Sequence, residues 1–363
     1  MKRREFLAAG TAASATMLAA PAIAQSNPTI NWRLASAFPS SLSTLYGTAK
    51  YIRERVAEAT DNEFQIQTFA AGEIVPGGGA VIDAVESGTV ECCHTCSYYA
   101  IGKDPVFAFG TCMPFGLNSR QADAWLRFGG GQEQLNAFYE GYNLHALAAG
   151  NTGVQMGGWF RKELKTVEDL RGIKFRVGGL AGTILSKLGV VPQQLAGGDV
   201  YPSLERGVID AAEWTGPFDD EKLGLYKVAK NYYYPGWWDQ GTVISLMINK
   251  EKWDALPKKY QAVLSAVSGD ANNWMQAQYD HENPAALRRL VAEGAQLRAF
   301  PEEIMQACYN ATTETYEEIS SGNETFAKLL ESMMSYRDAA SLWWQVSELP
   351  YDIAIARAGA ARR

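Results

Sequence analysis

The strongest constraint on this chain is an alternation of strand-like and helix-like segments that runs through twice. Residues 29–35 read as a strand, and an amphipathic helix follows over 44–59, closed by Asp61-Asn62. Residues 64–69 alternate apolar and polar side chains as a second strand, and a glycine-rich loop over 72–79 leads into a helix near 81–86. The same order returns with strands at 144–148, 173–177 and 209–212 and helices at 166–170, 180–188 and 198–206. A strand at 243–248 then gives way to a mostly helical remainder, interrupted by a strand at 296–300. Strands separated by helices dictate an α/β architecture with largely parallel sheets, because parallel neighbours need a crossover between them. At 363 residues the chain exceeds the about 250–300 over which one core grows, so two domains are expected. The last helices, about 302–320 and 335–356, carry Trp343, Trp344, Leu349 and Ile353, whose apolar faces need a partner in the body or in a second chain.

Residues 1–24 stand outside this pattern. Lys2, Arg3 and Arg4 precede an apolar run that Gly10, Thr11, Ser14 and Thr16 interrupt, and Ala22-Ile23-Ala24 supplies a small-x-small cleavage site. The run is too short and too broken for a membrane span. It reads as an export signal, and Arg3-Arg4 before Glu5-Phe6-Leu7 resembles the twin-arginine type. The mature chain is expected to start at Gln25 and to work in the periplasm. The full chain's net charge of −7 and the lack of a basic cluster beyond the leader argue against nucleic acid and anionic lipid as partners.

Five cysteines are an odd number for an oxidising compartment, and a core of this size needs no disulfide staples, so buried reduced thiols are expected. Three of them, Cys92, Cys93 and Cys96, flank His94 in VECCHTCSYYA. The alternation calls for a strand here. Alternate side chains on a strand lie about 7 Å apart and neighbours point to opposite faces, so one short strand does not gather a tetrahedral site. No second CxxC or HxxxH completes four ligands. A buried structural strand is the favoured reading, with a metal site as the alternative.

Chemistry is better placed between residues 150 and 240, just beyond strand ends, where α/β sheets present ligands. In GNTGVQMGGWF, glycines surround Asn151, Gln155 and Trp159 and let backbone approach a ligand, although a plain turn reads the same way. In GIKFRVGG, Arg176 enters a Gly-Gly turn as a carboxylate anchor or as half of a structural ion pair. In IDAAEWTGPFDDEKLG, Glu213 ends an apolar strand, where a carboxylate is costly unless it meets a cation, and Trp214 offers a wall and a main-chain oxygen. Asp219, Asp220 and Glu221 suit the start of a helix. In YYYPGWWDQG, aromatics flank Pro235-Gly236, and Asp239 is either a further cation ligand or a turn residue.

These segments, together with WRLASAFP (32–39), TFAAGEIVPG (68–77), GGDVYPSLERG (197–207) and YPSLERGVIDAAEW (201–214), resemble the periplasmic solute receptors of TRAP transporters, the family 7 or DctP-type binding proteins. The likeness spans essentially the whole mature chain and is greatest to the branch that binds small 2-oxo acids such as pyruvate with a metal cation. The resemblance implies an α/β two-domain periplasmic binding protein, with a hinge crossed more than once, an interdomain ligand cleft and long C-terminal helices. The first domain is then 25–150 plus about 241–300, the second 151–240 plus part of the C-terminal helices, and about 335–363 is a possible dimer contact. Arg176 falls at the family's carboxylate-binding arginine. Gln155, Glu213 and the Trp214 main-chain oxygen match the cation positions, and Asp239 stands where the branch often has Glu. Asn151, Tyr98 and Tyr99 are further candidate ligand contacts, and Ala100 leaves room where relatives carry an aromatic. Oxygen donors of this kind suit Na⁺ or Ca²⁺ rather than Zn²⁺. The implied partners are a small carboxylate, the TRAP membrane subunits and a second copy of the chain. The implied role is receptor, not enzyme; the rivals are an exported metal-dependent enzyme acting on an oxo acid and a ligand sensor for a membrane kinase.

Overall fold

The computed structural model describes residues 28–360, so the leader lies outside the described residues. Eleven strands occur among them, in two sheets. In chain order they are β1 (Ile30–Ser36), β2 (Phe64–Phe69), β3 (Cys92–Thr95), β4 (Leu144–Asn151), β5 (Gly158–Phe160), β6 (Lys174–Arg176), β7 (Val191–Gln193), β8 (Ala211–Ala212), β9 (Asn231–Tyr234), β10 (Val243–Asn249) and β11 (Gln296–Ala299). The first sheet has the order β2-β1-β3-β10-β4 and the second β11-β9-β5-β8-β6-β7. The expected two-lobed α/β fold with long C-terminal helices is what the chain adopts.

Each sheet is parallel except for one strand. In the first, β10 runs antiparallel to both β3 and β4; in the second, β5 runs antiparallel to both β8 and β9. Those two strands are the ones the chain enters immediately after changing sheets, through residues 152–157 before β5 and 235–242 before β10. β10 reads VISLMIN and is buried at every position, as a strand covered on both faces must be. A third passage is made by the helix Lys258–Ala292. Tyr260, Leu264, Val267 and Ala271 pack beneath the first sheet, while Met275, Tyr279 and Leu290 join the other core. At 1.5 Å per residue its 35 residues reach about 50 Å and carry the chain to the second sheet. This corrects one expected boundary: β11, assigned with the first domain, pairs parallel with β9 at the edge of the second sheet.

The cysteine-rich strand is shorter than expected. β3 stops at Thr95, and a 3₁₀ turn over Ser97–Ala100 follows, fixed by the Ser97 hydroxyl donating to Phe107 O at 2.6 Å. Cys92 packs with Trp32, Leu34 and Phe64, and Cys93 packs in the other core cluster, on the opposite face. All five cysteines are free thiols.

Residues 101–143, which the alternation leaves unassigned, hold the helices Ser119–Phe128 and Gly131–Tyr139, the first closed by a reciprocal cap between Asn118 and Gln121. The tail forms three helices, Glu302–Gly322, Glu324–Val346 and Glu348–Ala360, where two were expected. Asn323 makes the break and caps the next helix, its side chain accepting from Phe326 N at 2.9 Å. The first tail helix packs on Ala181–Lys187, beside the second sheet, and the next on the two helices near the first sheet. No helix among the described residues is long and apolar enough to cross a membrane.

Candidate functional site

The two crossings between sheets lie side by side. Thr152 N donates to Thr242 O at 3.0 Å, Gln155 N to Asp239 O at 2.9 Å and Gly236 N to Gln155 O at 3.0 Å. A side chain at Gly236 would bring its Cβ to 2.8 Å from that Gln155 oxygen, so the close approach requires glycine. Polar side chains on these crossings are therefore delivered to one place, between the sheets.

A small, nearly closed cavity lies there, lined by Phe38, Cys96, Tyr98 and Tyr99 from the first lobe, Arg176 and Trp214 from the second, and Thr152, Gln155 and Thr242 from the crossings. Tyr98 and Tyr99 meet edge to face with centroids 5.1 Å apart. Tyr98 also packs on the Gly178-Gly179 turn of the other lobe, where an added Cβ at Gly178 would lie 3.0 Å from its ring. A larger groove of about 680 Å³ runs between tail helices past Phe115, Tyr309, Tyr316, Leu330 and Met334, but it gathers no buried charge.

Arg176 is 3% exposed and closes one side of the cavity. Its Nε donates to Leu195 O at 3.3 Å, and Nη1 donates to both Glu213 O at 3.0 Å and Glu213 Oε1. Nη2 donates to no backbone or carboxylate oxygen among the described residues, and the Tyr99 hydroxyl lies against the guanidinium. The free part of the guanidinium is thus its Nη2 corner, not the whole fork, and the ring of Trp214 supports its face at 4.7 Å. Of the two sequence alternatives, the ion pair is formed: Arg176 is half of a buried pair with Glu213.

The polar atoms behind the wall share one pattern. Glu213 Oε1 accepts from Arg176 and from Gly178 N at 2.9 Å, while Oε2 is buried without a partner. Asp239 Oδ1 accepts from the Cys112 thiol and from Thr242 Oγ1 at 3.1 Å, while Oδ2 is buried without a partner. Gln155 Nε2 donates to Thr152 Oγ1 at 3.1 Å and Thr242 Oγ1 at 3.0 Å, while Oε1 is buried without a partner. Three side chains are each tethered by one polar atom and present the other as a bare oxygen. Leaving such atoms unpaired costs about 1–3 kcal/mol each, more when charged.

Burial pushes the Glu213 carboxyl up to about 8; Arg176 pulls it down and Asp239 repels it upward again. Burial likewise raises Asp239 to about 6, against hydrogen bonds from Cys112 and Thr242 and the charge of Arg176. Ionising both carboxyls against one guanidinium would leave an excess of negative charge, which an oxygen-liganded cation would offset. The donor set is hard oxygen throughout, which fits Na⁺ or Ca²⁺. Among the described residues no three His, Cys, Asp or Glu side chains converge as a metal cluster. The set here has only two carboxylates and is completed by an amide.

Asn151 does not join it. It ends β4, its Oδ1 accepts from Gly153 N at 2.8 Å and its Nδ2 reaches Gly241 O at 3.5 Å, so its side chain is spent on the turn. Asp220, read only as a helix start, is buried and accepts from Trp159 Nε1 at 2.9 Å and Tyr232 OH at 2.7 Å. Thr152, Thr242 and Cys112 were not anticipated; hydroxyls in glycine-flanked segments were the only hint. His94 is buried in β3 with Nε2 at 3.2 Å from Ala149 O, and His145 stacks on Trp253.

Comparison with known proteins identifies the family. The family model for bacterial extracellular solute-binding protein, family 7 (DctP), matches residues 35–323. The chain is 46% identical over 360 residues to a monocarboxylate 2-oxoacid-binding periplasmic protein of Nostoc sp., covering 97% of this chain and 98% of that one. A TRAP transporter solute-binding protein from Bordetella bronchiseptica is also 46% identical, with a TM-score of 0.91 over 93% of this chain and 100% of its own. It was solved as a mixed-occupancy dimer with copurified calcium and picolinate in one active site and the other apo. A TRAP periplasmic solute-binding protein from Pseudoalteromonas atlantica, with bound sodium and pyruvate, is 35% identical, with a TM-score of 0.85 over 89% of this chain and 98% of its own. The chain belongs to the bacterial extracellular solute-binding protein family 7, the periplasmic solute receptors of TRAP transporters.

Proposed function

We propose that this receptor binds a small monocarboxylate 2-oxo acid together with Na⁺ or Ca²⁺ in the cavity between its lobes and delivers the acid to TRAP membrane subunits. The observation that carries this is the set of three buried, unpartnered oxygens, Gln155 Oε1, Glu213 Oε2 and Asp239 Oδ2, beside a guanidinium with a free corner. In this reading the cation takes those oxygens and the Trp214 main-chain oxygen, and the acid's carboxylate and adjacent carbonyl complete its shell. Arg176 Nη2 takes the carboxylate from the other side. Tyr98 and Tyr99 cover the acid from the first lobe, so closure about the two crossings excludes water and strengthens each charge contact. The lobes divide at those crossings. With both carboxylates ionised, Ca²⁺ plus a monoanionic acid brings the charge of the Arg176, Glu213 and Asp239 set to zero, whereas Na⁺ leaves one negative charge. Charge balance therefore favours Ca²⁺.

The relatives support both halves of the reading, since they carry calcium with picolinate and sodium with pyruvate. The proposal is binding without turnover: His94 and His145 are held within the first lobe, away from the cavity wall. Calorimetric titration of pyruvate and longer 2-oxo acids into chelator-treated protein in sodium-free buffer, with calcium restored or withheld, tests the reading. Binding confined to the calcium arm supports it; equal binding in both arms overturns it.

We further propose a homodimer through the last helices. Leu342, Trp343, Val346, Leu349, Ile353 and Ile355 are exposed along them, and the Bordetella relative is a dimer. A monomeric mass in solution for the mature protein would refute this.

A further inference from the structure

We infer that Thr242 is a positioning residue for the cation, holding two of its side-chain ligands with one hydroxyl. The inference rests on the cation site proposed above. Gln155 stands on the crossing into β5, and Asp239 and Thr242 stand on the crossing into β10. A threonine hydroxyl has one hydrogen to give and lone pairs to receive. An ionised carboxylate only accepts, so the hydrogen of Thr242 goes to Asp239 Oδ1 at 3.1 Å. Its oxygen is then left to accept from Gln155 at 3.0 Å, which obliges the amide to present Nε2 on this side. Thr152 receives the second Nε2 hydrogen at 3.1 Å and gives its own to Gly153 O at 2.9 Å. The amide cannot flip without losing both bonds, and Gln155 Oε1 stays turned away from the threonines.

The same hydroxyl decides which Asp239 oxygen is bare. Thr242 and Cys112 both donate to Oδ1, leaving Oδ2 free. Thr242 is buried completely from bulk solvent. Because Gln155 and Asp239 lie on different crossings, the hydroxyl also ties together the two segments about which the lobes are proposed to move. Side chains of this kind, one bond removed from a metal, typically change affinity by roughly 10–100-fold when replaced.

Two substitutions separate the hydroxyl from packing. Thr242→Val keeps the shape and removes the hydrogen bonds; Thr242→Ser keeps the hydrogen bonds and removes the methyl. Calcium is titrated calorimetrically into chelator-treated mature protein with pyruvate present, and the melting temperature of each variant is recorded without either ligand. Thr242→Val is expected to weaken calcium by roughly 10–100-fold, Thr242→Ser to stay within about threefold of the wild type, and Thr152→Val, which removes a bond to Gln155 but none to Asp239, to fall between them. Calcium affinity of Thr242→Val within about threefold of wild type, or equal loss in the serine variant, overturns the inference while leaving the site itself standing. Failure of the wild type to bind calcium at all removes both.

Discussion

Two regions of this molecule are rich in metal-ligand side chains, and only one has the physics of a binding site. β3 carries Cys92, Cys93 and His94, with Cys96 just beyond it. On the page of the sequence this is the denser cluster. In the fold its members divide between opposite faces, the thiols are buried as apolar groups, and burial holds the Cys93 and Cys96 thiols far above their usual range. Gln155, Arg176, Glu213 and Asp239 are spread over 85 positions, yet the crossings and strand ends put Gln155 and Arg176 on one cavity wall, with Glu213 bonded to Arg176 and Asp239 bonded to Thr242 behind it and bare oxygens left over. Density along a strand is not convergence, because consecutive strand residues diverge. Convergence comes from chain crossings and strand ends, where distant segments are forced side by side.

The comparison breaks most decisively at Arg176. Arg176→Ala is expected to weaken acid binding by 100-fold or more, on the order of 3 kcal/mol, measured by calorimetry with calcium present. It also leaves Glu213 buried without its cation, so a loss of about 3–5 kcal/mol in denaturant-melt stability is expected as well. That stability cost is absent if the arginine is read only as a ligand anchor. Glu213→Gln should weaken calcium and acid together by at least about tenfold, because the acid chelates the ion that Glu213 holds. A variant that lost only one of the two would separate the sites.

Protonation sharpens the contrast. Glu213 and Asp239 are raised to about 8 and about 6, so protons compete with the cation as pH falls. Calcium affinity should therefore be strongest above pH 8 and decline as the pH is lowered through 8 to 6. A flat profile would mean that neither carboxylate holds the ion. The smallest expected effect on binding lies in the dense cluster: Cys93→Ser should cost about 1–3 kcal/mol of stability through its buried hydroxyl and leave pyruvate and calcium affinity unchanged. Loss of calcium binding in that variant would reverse the comparison.

Much of the architecture was legible because it rests on periodicity. The alternation located β1, β2 and β10 nearly to the residue, and residues 101–143 were missed because nothing in the alternation marked them. β5 and β9 were hidden, being three and four residues long and glycine-flanked or all aromatic, with no period to read. Arg176 and Glu213 stood out as charges at strand ends. Thr242 did not, since a threonine has no signal until its partner, 87 positions away in sequence, is beside it. Asn151 looked like a ligand contact for the same glycines that make it a turn. The fifty-ångström reach of the long helix, which moved β11 to the other sheet, follows from its length once its end is known.

The most direct test is a crystal grown from calcium-treated protein with pyruvate, with anomalous data collected to locate the ion. Expected is one calcium between the lobes at about 2.3–2.6 Å from Gln155 Oε1, Glu213 Oε2, Asp239 Oδ2 and the Trp214 main-chain oxygen, chelated by the acid, with Arg176 Nη2 on its carboxylate. A pyruvate seated there with no ion, or an ion held instead at Cys92, His94 and Cys96, would contradict it.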